Sequence, residues 1–532
     1  MKKVYRIHPA IGVARLGDSP SEYFIGPESP GILPSPTPAD DALSATGKYK
    51  DSQHRIKRQG ARFRVYEYVY TSAGALKDVR EVTAADARIR WSVHLANRKA
   101  AGPRFGGTGR RNKRLPVADL VIDAKLQKIE GTSQPMKPVR GKFRGIAVPL
   151  GDLLTDSAGR LIVLGGFGHS QSVPAGRILM HFANNDGWCD DASDGPVGAT
   201  VQFVGSSKAI KAEPAWVIVA PPDFAPAIEN VITLYDVVYD VAAKLHPAFK
   251  IRRNMPVSFT QHVYPLLKRV CMNIWVNYMT GRGHGPQTGA YFLAPEQLAL
   301  LSDNSKADHS AAPHAHLGMH AHHDDSDVDT STPAGRRQHT FEHLRNPHGG
   351  GGDMPMLNPQ RGPGAPALPE FQYEIMSRWA EGDFLADWPG QEPIPQSLDQ
   401  MAARDQPPAL DRSALEACVG AAFFPGIEAS DIMLKRSTYD PRRPFRISAR
   451  LKPGTLTESM AVPWQADFRE CSTNWWPAQR PNEVLRDGPN PVHWVPTSWQ
   501  RETMVQRWSE LGFVVKEMSA GQNRFVEEER NV

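Results

Sequence analysis

Between Ala61 and Tyr70 the chain alternates apolar and polar side chains, the period of a strand with one buried face. Leu161–Leu164 is continuously apolar and runs into Gly165 and Gly166, which predicts a buried strand and a turn. Thr200–Val204 and Trp216–Ala220 predict further strands, and Pro221 and Pro222 end the pattern. From about residue 225 the period changes. Ile228–Ala243 and Phe259–Tyr278 carry apolar residues at helical spacing, and Phe371, Ile375, Met376 and Trp379 share one helix face. Met504, Val505, Trp508 and Leu511 predict a last helix, with Ser498 as its N-cap and Gly512 at its end. The expected fold class is α+β: a β-rich N-terminal lobe (1–225) packed on a mainly helical, loop-rich C-terminal lobe (226–532). No internal repeat is visible. His309–Gly352 is rich in His, Asp, Ser and Gly, and Pro359–Pro369 in Pro and Gly. Both predict exposed loops, the first as a His-rich insertion at about 305–352.

With 532 residues, 40% of them hydrophobic, the chain can bury one large core or two or three packed lobes. Its 62 basic and 57 acidic residues leave a net charge of only +5, so most charge is locally balanced. The densest basic run, Arg104–Arg114, contains a single aromatic, Phe105, and predicts a solvated loop rather than a nucleic-acid surface. No apolar run reaches the ~18 residues that suggest a membrane span. Met1–Gly17 lacks the apolar stretch of a cleaved signal, so a cytoplasmic location is expected, with non-standard export left open. Cys189, Cys271, Cys418 and Cys471 lie far apart and form no CxxC pair, which excludes a zinc ribbon or thioredoxin motif.

The chemistry concentrates in Pro463–Pro481 (PWQADFRECSTNWWPAQRP), which gathers Trp464, Asp467, Cys471, Trp475, Trp476 and Arg480. Tryptophan is costly to expose, so the segment predicts a buried, rigid setting. Asp467 and Cys471 are four apart and would share a face on a helical turn. A carboxylate desolvated among aromatics suits a general base. A plain Trp core, with Asp467 capping a turn and Cys471 as a small hydrophobe, fits the same spacing. In Asn184–Pro196, Asp186, Asp190, Asp191 and Asp194 lack the EF-hand pattern and predict turn and hydrogen-bonding roles. His309, His314, His316, His320, His322 and His323 could bind a transition metal, but show no fixed ligand geometry. No metal site is therefore assigned.

The segment around Cys471 resembles the signature of the LodA-like family, the lysine ε-oxidase and glycine oxidase group. Collinear stretches extend the resemblance over nearly the whole chain: Ile7–Asp18 (IHPAIGVARLGD), Phe24–Glu28, Ile56–Tyr66, Trp91–Asn97, Asn184–Pro196 (NNDGWCDDASDGP), Ala220–Pro226, Gly352–Leu357, Ala417–Gly420, Phe424–Glu428 and Trp508–Phe513. The resemblance implies a cysteine tryptophylquinone, in which a Cys is joined by a thioether to a Trp indole that is oxidised to an ortho-quinone. Cys471 fits the family Cys. Trp508 is chosen as its partner, with Trp494 and Trp499 as rivals. Asp467 fits the family Asp that assists cofactor formation, and is the candidate base. Cys418 is expected near the active-site pocket, and Trp188 and Cys189 are expected to face substrate. The implied reaction takes a primary amine, an amino acid by preference, with O2 and water to an aldehyde or oxo acid, ammonia and hydrogen peroxide. A flavoprotein maturation enzyme is the implied partner, and a homo-oligomer is admitted. The alternatives are a catalytically silent relative that only binds, and a metal-binding protein centred on the histidines.

Overall fold

The computed structural model describes residues 1–34, 48–250, 255–306, 329–357, 366–423, 425–519 and 522–531, without the side chains of 471–474, 518–519 and 522–523. The six histidines from His309 to His323 thus lie outside the described residues.

Strands β1 (Ile11–Arg15), β2 (Arg58–Tyr70), β3 (Ala87–Val93), β4 (Ile146–Thr155), β5 (Leu161–Leu164), β6 (Trp188–Asp190), β7 (Ser193–Phe203) and β8 (Ala215–Ala220) carry the N-terminal half. All but β6 join one 15-stranded sheet, in which β4, β5, β2, β1, β8, β7 and β3 follow in spatial order. The pairing along this path is antiparallel except for β1 with β8, where Trp216 pairs with Ile11 and Ala220 with Arg15. Burial explains the two sequence patterns. Every residue of β8 is buried because both faces of the central sheet are covered. Val217 and Val219 face one core, while Trp216, Ile218 and Ala220 face a second core built with the helices.

The second core gathers α1 (Leu234–Leu245), α2 (Tyr264–Met272), α5 (Glu370–Ala380) and α6 (Gln406–Glu416), with Phe341 of α4 (Pro333–Glu342) packed against it, while α3 (Tyr278–His284) follows α2 and buries none of its residues. The periodic stretch from Ile228 becomes helical only at Leu234. There Thr233 accepts the N–H of Asp236 while the Asp236 side chain accepts that of Thr233, a reciprocal cap. In α5, Ile375, Met376 and Trp379 are buried as their spacing predicts. Helix α4 corrects the loop expectation for 309–352. Pro at its first turn and Thr332 as N-cap start it, and Arg336, Arg337 and Thr340 are buried. The basic run is also corrected at one position. Arg111 is fully buried, donating to the Lys99, Glu458 and Ser459 carbonyls and to Asn184.

The C-terminal segment returns to the sheet. Helices α7 (Gln465–Asn474) and α8 (Arg501–Arg507) and the hairpin of β9 (Phe513–Ser519) and β10 (Gln522–Glu528) share the first core with Val217, Val219 and Phe224. The predicted cap fails here. Gln500, not Ser498, precedes α8, and a 3-10 turn of Trp508–Glu510 follows it. Gly512 ends the helical stretch as expected, but the chain then enters a strand that apolar periodicity at helical spacing did not show.

Candidate functional site

Helix α7 carries Asp467 and Cys471 and is anchored at its start from the acidic loop. The Trp464 N–H donates to Asp190 Oδ2 at 3.0 Å, and the same carboxylate takes Lys99 Nζ at 2.5 Å and Asn97 Nδ2 at 2.9 Å. Asp467 lies in the first turn, where a negative charge complements the helix dipole. It is fully buried, and its Oδ2 takes Arg480 Nη1 at 2.5 Å. The Arg480 guanidinium sits 4.3 Å above the Phe468 ring. Sequence reasoning considered the carboxylate but not this partner, thirteen residues downstream.

Helix α8 runs antiparallel to α7. Arg469 Nη1 reaches Gln500 Oε1 at 2.9 Å, and Arg501 pairs with Glu470, so the turn that carries Cys471 is level with residues 500 and 501. At the other end Trp508 meets Trp464 edge-on, ring centroids 5.2 Å apart. The Cys471 side chain itself lies outside the described residues. The three candidate indoles all fall in the same buried cluster as Trp464 and Phe468. Trp494 donates its N–H to the Gly512 carbonyl at 3.0 Å and packs on Phe224. Trp499 lies under the Arg507 guanidinium at 5.0 Å.

Trp508 has a neighbour the other two lack. A Cβ added to Gly168 would fall 2.1 Å from Trp508 Cζ2, so only glycine, at φ +72°, lets this backbone lie against the six-membered ring. Gln465 of α7 clamps the same loop, donating to the Gly168 carbonyl at 2.8 Å and accepting from Ser170 Oγ at 2.6 Å. The next residue, His169, gives its N–H to Asp191 Oδ2 at 3.1 Å. Asp191 is fully buried, and its Oδ1 meets no hydrogen-bond partner among the described residues. Burial, and then the charge of Asp190, push its carboxyl up to about 8, so it carries a proton at neutral pH. The buried indole N–H of Trp464 is likewise without an acceptor among the described residues. The sequence signal for this cradle is the cluster of Gly165, Gly166 and Gly168, which reads only as a turn until residue 508 is placed beside it.

The remaining expected site residues lie further off. Trp188 is buried with Val462, Ala466 and Val505, wedged against both α7 and α8. Cys189 points into the sheet-side core, where burial raises its thiol far above the ordinary range. Cys418 is fully buried, donates to the Ala414 carbonyl at 3.2 Å and lies 3.8 Å from Arg15, which pairs with Glu428 at 2.8 Å. Desolvation holds its thiol protonated. Just beyond it, Gly420–Phe423 line a cavity of about 640 Å³ together with Phe105. Trp475 packs on Ala422, Phe105 and Phe182 behind that wall. Asp186, Asp190 and Asp194 act as hydrogen-bond acceptors, as their spacing suggested.

A two-core α+β body whose Cys- and Trp-bearing segment folds back into the sheet-side core is the class that fold and site define. The chain belongs to the LodA-like family: residues 8–219 match the family described as L-Lysine epsilon oxidase N-terminal, and residues 351–499 match the L-lysine epsilon oxidase C-terminal domain. It is 26% identical over 554 residues to L-lysine 6-oxidase of Marinomonas mediterranea, covering 88% of this chain and 71% of that protein. The crystal structure of the Schiff base intermediate of L-Lys epsilon-oxidase from the same organism with L-Lys superposes with a TM-score of 0.76, at 21% identity over 99% of this chain and 95% of that one. A second crystal structure of that enzyme gives 0.72 at 21% identity, again over 99% and 95%.

Proposed function

We propose that this protein is an amino-acid or amine oxidase that works through a cysteine tryptophylquinone formed from Cys471 and Trp508. The observation that carries the reading is the glycine cradle against the Trp508 ring, flanked by Trp464, edge-on to that ring, and by Asp191, bonded to the cradle's backbone, each with a buried polar atom that lacks a partner among the described residues. An ortho-quinone on the Trp508 ring would bring two acceptor oxygens to a site already holding an indole N–H and a protonated carboxyl, so the residues present fit the group. When formed, such a group supplies the electron sink that removes two electrons from the carbon bearing the amine. In balance, a primary amine, dioxygen and water give a carbonyl compound, ammonia and hydrogen peroxide, one molecule of each, with the two electrons ending on oxygen.

The chain's own side chains do the rest. Asp467, paired with Arg480, is the candidate base for the proton on the amine-bearing carbon. Asp191 keeps a proton in reserve beside the cradle. Gly168 and Trp464 cover the ring and exclude water. The Marinomonas mediterranea relative, solved as a Schiff base intermediate with L-Lys, supports amine chemistry. A flavoprotein that installs the quinone is the partner this reading requires. The helix register favours a second assignment of the cross-link, because Trp499 precedes the residues level with Cys471.

Mass spectrometry of the chain, produced with and without a co-expressed flavoprotein, tests the reading. The matured chain should gain two oxygens and lose hydrogens, and its digest should contain one peptide joining Cys471 to Trp508. It should also release peroxide from L-lysine, glycine or another primary amine in a panel. A link to Trp499 or Trp494 would move the cofactor and keep the oxidase. An unmodified thiol under every maturation condition would leave a silent relative.

A further inference from the structure

We propose that a second cavity, walled by α2, α3 and α4, binds a ligand with a carboxylate head and an apolar body. It encloses about 630 Å³, within the usual range for small-molecule sites. Its floor is apolar, with Leu267, Phe292, Met356 and Met376 among the lining residues. The ionisable side chains of its wall are all basic: Arg282, His284, Arg336, His339 and His343 line it, and among the described residues no Asp or Glu does.

Arg336 decides the ligand's charge. The residue is only 8% exposed. Its guanidinium gives one N–H to the Gly289 carbonyl, and its buried Nε finds no acceptor among the described residues. No carboxylate lies within ion-pair distance of it among the described residues. Other deeply buried arginines of this protein are compensated. Arg269 meets Glu229, Asp236 and Glu416, and Arg15 meets Glu428. Arg337, beside it on α4, spreads its donors over the Trp379, Asp303 and Ser305 carbonyls. A buried cation with one carbonyl partner is costly to fold unless an anion joins it. Burial already disfavours the charged form of Arg336. His339 in the last turn of α4 and His343, which caps it, have rings 4.9 Å apart and add donors on the same wall. A single anionic head beside a broad Met, Leu and Phe surface describes a ligand with one carboxylate and a hydrocarbon body, and excludes an amine that lacks a carboxylate.

Two sources offer that chemistry: a free monocarboxylate, and the carboxylate end of an apolar amino acid or its oxo acid. The site needs no cofactor, so it can be tested in colourless, unmatured chain, and its failure is separable from failure of the oxidase reading. Calorimetric titration with octanoate should give saturable one-to-one binding, and octylamine, with the same body and the opposite charge, should bind at least tenfold more weakly. Parallel titrations with leucine and 4-methyl-2-oxopentanoate separate the sources, since a site for the amino-acid end takes these as well as octanoate. Arg336→Met should weaken octanoate at least tenfold, while Arg336→Lys keeps part of the affinity. Leu267→Trp, which fills the floor and leaves Arg336 in place, should abolish binding, with thermal melts confirming that each variant folds. Equal binding of octanoate and octylamine, no binding of either, or full affinity in Arg336→Met would overturn the assignment.

Discussion

Asp191 shows how far one carboxyl can be moved by its surroundings. It follows Asp190 directly, yet Asp190 takes Lys99, Asn97 and the Trp464 N–H, while Asp191 takes only backbone N–H groups, that of His169 at 3.1 Å among them. Its carboxyl is raised to about 8 by burial and by Asp190, against about 3.9 for an unperturbed Asp. The folded state therefore holds a proton that the unfolded chain gives up near pH 4. Stability from this group is full below pH 4, falls as pH rises and is lost by about pH 8. Asp191→Asn removes the titration. Thermal melts from pH 4 to pH 9 should show the wild-type chain losing stability relative to the variant as pH rises, with the two closest at the acid end. Parallel curves would mean that Asp191 is ionised in the fold. That these four acids serve as hydrogen-bonding groups was legible in their spacing. Which of them meet a cation was not, because Lys99 and Arg104, the partners of Asp190 and Asp186, come from a distant stretch of chain.

At the scale of elements, the pattern of side chains located segments better than it located their ends. Leu161–Leu164 and Trp216–Ala220 are strands over the expected residues, because continuous burial on two faces leaves a continuous apolar run. Ser498 does not cap α8, and α4 lay unseen inside a stretch whose His and Gly content reads as loop. The helical turn that carries Asp467 and Cys471 was legible from their spacing, but the partner of Asp467 was not. Arg480 lies past the end of α7 and folds back over Phe468 to reach the carboxylate. Both charges are almost wholly out of water, so removing one takes from the other an ion-pair partner that water cannot replace. Arg480→Met should cost about 3–5 kcal/mol in urea unfolding. Asp467→Asn on that background should recover part of the loss, because it deletes a buried charge that has lost this ion pair. Losses that simply add in the double variant would show that the two groups are not coupled.

At the scale of the molecule, the chain closes on itself. The helical period after residue 225 suggests that the second half packs as a unit, but the segment from Trp464 to Phe525 belongs to the same core as β8 and Phe224. Side-chain pattern reports that a residue is buried and is silent about which of two cores receives it, so this return was invisible in the sequence. Phe513 is the test of it. Its ring stacks on Tyr49 at 4.9 Å and leans on Phe224 at 5.0 Å, tying the final hairpin to the first half of the chain. The Val514 N–H also donates to the Phe224 carbonyl at 2.7 Å. Truncating a buried Phe removes transfer energy and leaves a cavity, so Phe513→Ala should cost about 3–5 kcal/mol. If the core is shared, that loss must appear in the sheet as well as in the hairpin. Near-ultraviolet dichroism of the tryptophan cluster and far-ultraviolet dichroism of the strands should shift to lower urea together, with one midpoint. A variant whose tryptophan signal melts early while the strand signal keeps its wild-type midpoint would show the C-terminal segment to be a separate folding unit, and the indole site would then be only as stable as that segment.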